Sequence, residues 1–403
     1  MNGHMRRGWA IALGALAALV LLACPPGPKR PTEKVNVCLV SEALAGPWCP
    51  ASAVAEREYY VEPEAWEPVP PTTVCSAHTE PVDPDPPVEP DIRVWVGVYD
   101  LLGATGDRAA FLAECVEAGA RGLRLFVCYS WNGPQTGGSP YREVGTWTHD
   151  NGITFPLYRL SEWDVAFWDR FAALLVDLRA ADLEAWLVVE DYCSLKGDSR
   201  TKYYNPMYCS EEALGPSTPG GIWGDAMKPY HAALINRVVA EAKASGVDYL
   251  IEPMNEYDAL DWPDADMIAW HEWATDTIVY AGVPRAQIVG TAGRNADAIA
   301  AQCGPYSPHG IGTPEQIVAY PGVPTAKLIY SSDGYFTGTG GADARGRRGV
   351  GVDVAREIGC RLLALGAYGF ELLPREVYGA NNDRADVDRF DPAPVKDMAY
   401  AKQ

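Results

Sequence analysis

The stretch Tyr249–Leu260, YLIEPMNEYDAL, opens like a buried strand and stops behaving like one at Asn255-Glu256. Tyr249 to Met254 form an apolar run of the kind found in a parallel sheet covered on both faces. An amide and a carboxylate then stand side by side where the run ends. In α/β sheets and barrels, the carboxyl ends of the strands are where side chains converge on a ligand. The fold therefore depends on whether other strands of the same kind surround this one.

They do. Short apolar runs recur at IRVWVGVYD (92–100), GLRLFVCYS (122–130), EAWLVVEDY (184–192), QIVGTAGR (287–294), YSPHGIG (306–312), KLIYSSDGY (327–335) and GAYGFELL (366–373). Amphipathic stretches of helical period lie between them. DRAAFLAECVEAGA spaces its apolar residues three and four apart. SEWDVAFWDRFAALLVDLRAADL starts at Ser161, a residue suited to an N-cap. The stretches from Pro229 and Asp264 each end at a Gly, a common helix stop, and GVDVAREIGCRLLALGA is the last of the series. Eight strands alternating with helices predict an α/β fold, a (β/α)8 TIM barrel, over residues 91–403. An open doubly wound sheet fits less well, because no glycine-rich phosphate turn follows the first strand.

The rest of the chain reads differently. MNGHMRR is basic, and the apolar run from Trp9 to Cys24 is shorter than the roughly 20 residues that span a bilayer. This is the pattern of an export signal, residues 1–24. Its end, Leu21-Leu22-Ala23-Cys24, resembles the bacterial lipobox, which implies lipidation of Cys24 and tethering to a membrane facing the periplasm or cell surface. Residues 25–90 are rich in proline and acid, and read as a linker with a small cysteine-bearing piece. That piece (Cys38, Cys49, Cys75, His78) resembles a tail found after the transpeptidase domain of some penicillin-binding proteins. The transpeptidase itself is absent, and the four residues leave zinc or a disulfide open. Among the other cysteines, Cys193 and Cys209 share a loop region and are expected to pair, while Cys115 and Cys128 read as core thiols. With 53 acidic and 33 basic residues and a net charge of -20, nucleic acid is excluded as a partner. A monomer is expected.

At the carboxyl end of the fourth of eight strands, Asn255-Glu256 gains meaning. A carboxyl group there enters a mouth where burial suits it to proton transfer, and the amide can donate to a sugar hydroxyl. IEPMNEY resembles the E-x-x-N-E-P motif of clan A glycoside hydrolases, especially the cellulase- and mannanase-like family 5, with Tyr257 in place of the proline. The resemblance implies that Glu256 is the general acid/base. It also matches Arg124 to the strand-two arginine that supports the nucleophile, and His309 to the strand-six histidine lining the site. Three positions depart from the pattern. Strand seven offers Asp333 where the family has a nucleophilic Glu, strand eight presents Glu371 where a Trp is usual, and Glu190-Asp191 replace a strand-three His.

The activity so implied is hydrolysis of O-glycosidic bonds in a β-linked polysaccharide, with Glu256 and Asp333 as catalytic pair and Glu371 as the alternative partner. Carboxyl groups about 5–5.5 Å apart retain configuration and about 6.5–9.5 Å apart invert it. Asp is shorter than Glu, but Gly334 allows a backbone shift, so retention is expected. Asn255, Arg124, His309, Tyr257, Trp131, Tyr335 and Glu371 are the expected substrate-binding residues, the aromatic ones by stacking on sugar rings. Trp147, Trp262 and Phe336 lie in the same strand-end loops, whereas Trp163, Trp168, Trp270 and Trp273 read as packing residues on helices. No metal or other cofactor is expected, although an acidic mouth including Asp100, Glu190 and Asp191 would suit Mg or Ca in a different barrel enzyme. The competing reading is a non-catalytic carbohydrate-binding or cell-envelope lipoprotein with a degenerate glycosidase barrel.

Overall fold

The computed structural model describes residues 91–98, 101–130, 135, 137–149, 152–191, 203–213, 221–256, 263–291, 295–332, 352–372 and 387–401. Cys24, the linker, the Cys38–His78 piece and Cys193 lie outside them. Barrel strands are β1 (Arg93–Val98), β2 (Gly122–Cys128), β5 (Glu184–Asp191), β6 (Tyr249–Asn255), β7 (Gly290–Thr291), β8 (Tyr306–Ser307), β9 (Ile329–Ser331) and β10 (Gly369–Leu372). Six pair in parallel in the order β6-β5-β2-β1-β10-β9, and β7 pairs in parallel with β8. Parallel bridges Ile251–Ile288 and Tyr306–Leu328 join the two groups into a ring. The result is a curled parallel sheet resembling a TIM barrel, with each expected strand in place. The strands expected at 287–294 and 306–312 shrink to two residues each.

Helices α1 (Arg108–Glu117), α2 (Val165–Ala180), α3 (Lys228–Ser245), α4 (Asp264–Tyr280), α5 (Ala296–Gln302), α6 (Val352–Leu365) and α7 (Ala393–Ala399) are the α-helices of the described residues, beside short 3-10 turns. Asp107 caps α1 by accepting from the backbone of Ala109 and Ala110. Helix α3 ends at Gly246, whose φ of 69° is the left-handed stop that glycine adopts without a Cβ penalty. The apolar stripes of the helices share one continuous core with outward residues of the strands, Leu174, Leu178, Leu234 and Val238 being buried in the same cluster as Leu187 and Val189.

The barrel interior is a separate cluster that includes Trp95, Trp186, Val188, Leu250 and Ile329. Trp95 and Trp186 meet edge-to-face at 5.9 Å, and the Trp95 indole N–H donates to Glu184 at 2.9 Å. Gly122 lets β2 approach β5 closely, since a Cβ there would stand 2.0 Å from the Glu184 carbonyl oxygen.

Two expectations fail in the segment after β2. Residues expected to be loop and helix start form an antiparallel hairpin, β3 (Tyr141–Thr148) with β4 (Thr154–Trp163), outside the barrel. Ser161 is therefore a strand residue, and α2 begins at Val165 with Asp164 as its N-cap, accepting from the Phe167 backbone. The β-branched and aromatic content of 141–163 outweighs the helical spacing that continues on its C-terminal side. Trp147 and Trp163 consequently sit on strands, Trp163 stacked on Tyr141 at 4.8 Å. The Cys193–Cys209 pairing also fails, because Cys209 is a free, buried thiol, pushed up to about 12 by its burial. Cys115 and Cys128 are buried free thiols on α1 and β2, as expected.

Candidate active site

Buried polar side chains run from the middle of β2 and β6 to the carboxyl ends of β5, β6 and β7 and the segment after β8. Their organiser is Glu252, one 0 % exposed carboxylate inside the barrel. Arg124 on β2 reaches it with Nε at 3.2 Å and Nη2 at 3.0 Å to each oxygen. The Trp186 indole donates to it at 2.8 Å, and the Thr291 hydroxyl lies 2.8 Å away. A charge so deep is tolerable only when paired and hydrogen-bonded, and here both oxygens are engaged. The Arg124 guanidinium also packs against the faces of Phe126 and Trp186, at 5.0 and 4.8 Å.

Three residues further along β6, Asn255 takes up the same arginine. Its Oδ1 accepts from Arg124 Nη2 at 2.7 Å, and its Nδ2 donates to Asp191 Oδ1 at 2.8 Å. Strand β5 changes face at this point. Val188 lies in the interior, Val189 in the outer core, Glu190 bonds outward to a helix, and Asp191 returns inward to Asn255.

Glu256 ends the strand in an unusual backbone state, with φ at 48°. Left-handed geometry costs a non-glycine residue about 1–2 kcal/mol and at functional sites is held by its surroundings. Here the Glu256 N–H donates to Thr291 Oγ1 at 3.2 Å, and the carboxyl oxygen Oε1 lies 2.9 Å from His309 Nδ1. Both side chains are buried, and the pairing is available to either proton arrangement. The expected neighbours Asn255, Glu256, Arg124 and His309 are thus brought into one network.

Glu371 on β10 is buried and accepts from the Ser331 hydroxyl at 2.6 Å, which ties the ends of β9 and β10 together. Asp333, Tyr257, Trp131, Tyr335 and Asp100 lie outside the described residues. Trp147 is described, but on the hairpin, where it groups with His149, Phe155 and Tyr203. Sequence reasoning gave no role to Glu252, although it is the first Glu of the E-x-x-N-E pattern. It also missed His231 of α3, whose ring joins Glu190 at 2.6 Å and the Ile222 carbonyl at 2.8 Å under a stacked Trp223. Burial pulls this imidazole down, but the Glu190 charge and both hydrogen bonds outweigh it and leave its pKa raised. Among the described residues, no three His, Cys, Asp or Glu side chains group as a metal site, and no helix is long and apolar enough to cross a membrane.

No protein-family model matches the sequence, and no curated protein matches it. Solved structures do match. A candidate glycoside hydrolase from Bacteroides vulgatus ATCC 8482 superposes with a TM-score of 0.50 at 15% identity, covering 74% of this chain and 55% of that one. An exo-β-1,4-mannosidase from Opitutaceae bacterium strain TAV5 follows with a TM-score of 0.48, 14% identity, and coverage of 77% and 59%. A glycoside hydrolase family 5 enzyme from Prevotella bryantii B14 has a TM-score of 0.44, 12% identity, and coverage of 78% and 96%. This chain thus spans little more than half the length of the first two. At these identities, the likeness is one of fold.

Proposed function

We propose that the chain hydrolyses O-glycosidic bonds in a β-linked polysaccharide at the mouth of its barrel. The observation that carries this reading is Glu256 itself. It is a buried carboxyl group in left-handed backbone at the end of the fourth barrel strand, bonded to His309 and preceded by an amide clamped between Arg124 and Asp191. A carboxyl group in contact with an imidazole, and sheltered from solvent, suits proton transfer to a glycosidic oxygen. The fold it shares with a candidate glycoside hydrolase supports the same reaction class.

In the proposed mechanism, protonated Glu256 donates its proton to the glycosidic oxygen as the C–O bond breaks. A carboxylate on the opposite face, Asp333 by its place after strand seven, bonds to the anomeric carbon. Water then attacks that carbon, Glu256 takes its proton, and the Asp333 ester bond breaks. Glu371 is the alternative partner. The polysaccharide is bound without a cofactor, and lipidation of Cys24 would hold the enzyme at a membrane surface.

The test is turnover of a panel of β-linked glucans, mannans and xyloglucan by the full chain. Glu256→Gln is expected to abolish hydrolysis, by about a hundredfold or more, and to leave polysaccharide binding, because the proton donor is lost while the shape is kept. Asp333→Asn is expected to do the same. Turnover that survives Asp333→Asn but not Glu371→Gln transfers the partner role to Glu371. A wild type that binds sugars but turns over none of the panel overturns the enzymatic reading.

A further inference from the structure

The amide of Asn255 has two faces, an acceptor oxygen and a donor nitrogen, and only its surroundings can fix which way round it sits. Here the neighbours do. Arg124 can only donate, and it stands 2.7 Å from Oδ1. Asp191 in its ionised form can only accept, and it stands 2.8 Å from Nδ2. Flipping the amide would set donor against donor and acceptor against acceptor in a site where all three residues are buried. One orientation is therefore imposed. It consumes one of the two Nδ2 hydrogens, and among the described residues no other acceptor takes the second.

Arg124 alone does not fix that orientation in the plane. A single bond to Oδ1 leaves rotation about it open, and the second bond, from Asp191, closes it. Asp191 reaches this place because β5 turns it inward after Glu190, beside Asn255 in the parallel register of β5 with β6. We infer that Asp191 is a positioning residue. It holds the Asn255 amide so that the remaining Nδ2–H is presented to a hydroxyl of the sugar whose bond Glu256 protonates. The inference rests on the glycosidase reading for its consequence, but the amide clamp itself does not.

The experiment therefore has two readouts. With 15N-asparagine labelling of the full chain, the Asn255 side-chain amide, identified by its loss in Asn255→Ala, is expected to exchange slowly with solvent in the wild type. It should exchange much faster in Asp191→Ala. An unchanged amide in Asp191→Ala overturns the inference, whatever the outcome of the activity assays. On a hydrolysed polysaccharide, Asp191→Ala should lower kcat/KM about 10- to 100-fold. Asp191→Asn, which keeps an acceptor oxygen at the same reach, should recover most of that loss. In an Asn255→Ala background, Asp191→Ala should add less than about twofold, because its effect runs through the missing amide. Full additivity of the two substitutions, or no rescue by Asp191→Asn at unchanged Tm, refutes the positioning role. Absence of turnover by the wild type would overturn the glycosidase reading and leave the amide result to decide the clamp.

Discussion

Replacing Arg124 by methionine tests the centre of the network. The pair with Glu252 is 1% and 0% exposed, so solvent screens neither charge. Arg124→Met removes three contacts to Glu252 and one to Asn255, and leaves the carboxylate with the indole of Trp186 and the hydroxyl of Thr291. Breaking one side of a buried ion pair costs about 3–5 kcal/mol, since the survivor keeps its charge without its counter-ion. Two neutral donors remain, each contributing about 1 kcal/mol, which places the expected loss near the lower end, about 3 kcal/mol. Urea unfolding followed by tryptophan fluorescence at pH 7 measures it. Adding Glu252→Gln removes the orphaned charge but keeps an acceptor for Trp186, and should return about 1–2 kcal/mol. The single variant's loss should persist in 0.5 M salt, unlike that of an exposed pair. A loss below about 1 kcal/mol, or a double variant less stable than Arg124→Met, would refute the reasoning.

Two histidines give pH effects of opposite sign. The raised His231 stabilises fully below the ordinary histidine value of 6.5, and this contribution should fade as pH rises through its higher folded pKa; relative to a His231→Gln variant, wild-type stability should fall on the alkaline side. His271, lowered by burial from 6.5 to about 4, stays neutral in the folded state, so its contribution is present above 6.5 and lost toward pH 4. At 1.36 kcal/mol per pH unit, that interval amounts to about 3 kcal/mol, read as a steeper acid-side loss in the wild type than in His271→Gln. Gly122→Ala should cost at least about 2 kcal/mol, because its Cβ meets the Glu184 backbone at 2.0 Å; Gly145→Ala on the hairpin, with nothing within 4 Å of its Cβ, should leave Tm unchanged.

The barrel was legible because each of its strands is a short apolar run ending in polar residues, and such runs announce themselves without knowledge of partners. Strands β7 and β8 were legible as apolar runs but not as two-residue ladders, since their length depends on how tightly the ring closes. The hairpin was not legible. Its outer positions include Arg142 and Glu143, charged and exposed, and Arg159, charged and half-buried, and an edge-exposed ribbon lacks the alternation that a half-buried sheet displays. In the site, Asn255, Glu256 and His309 could be singled out from strand ends and resemblance. Glu252 could not be given its role that way. An acid in the middle of an apolar strand acquires meaning only through an arginine 128 residues away in sequence. His231 carried still less signal, as one histidine on a helix whose partner lies 41 residues earlier.

Strand β6 also gives its two acids very different neighbours. Glu252 and Glu256 are four residues apart, and both are buried. Glu252 is met by a guanidinium, an indole and a hydroxyl, and only the last can accept as well as donate. Glu256 has His309 among its partners, and an imidazole nitrogen can donate or accept according to its tautomer. The left-handed turn at Glu256 separates the two roles, because a regular strand would carry residue 256 to the opposite face from Asn255. Thr291 spans both sites, with its hydroxyl close to Glu252 and accepting from the Glu256 backbone. The buried ion pair and the left-handed glutamate are thereby joined through Thr291, whose hydroxyl holds the Glu256 backbone N–H beside the Glu252 carboxylate.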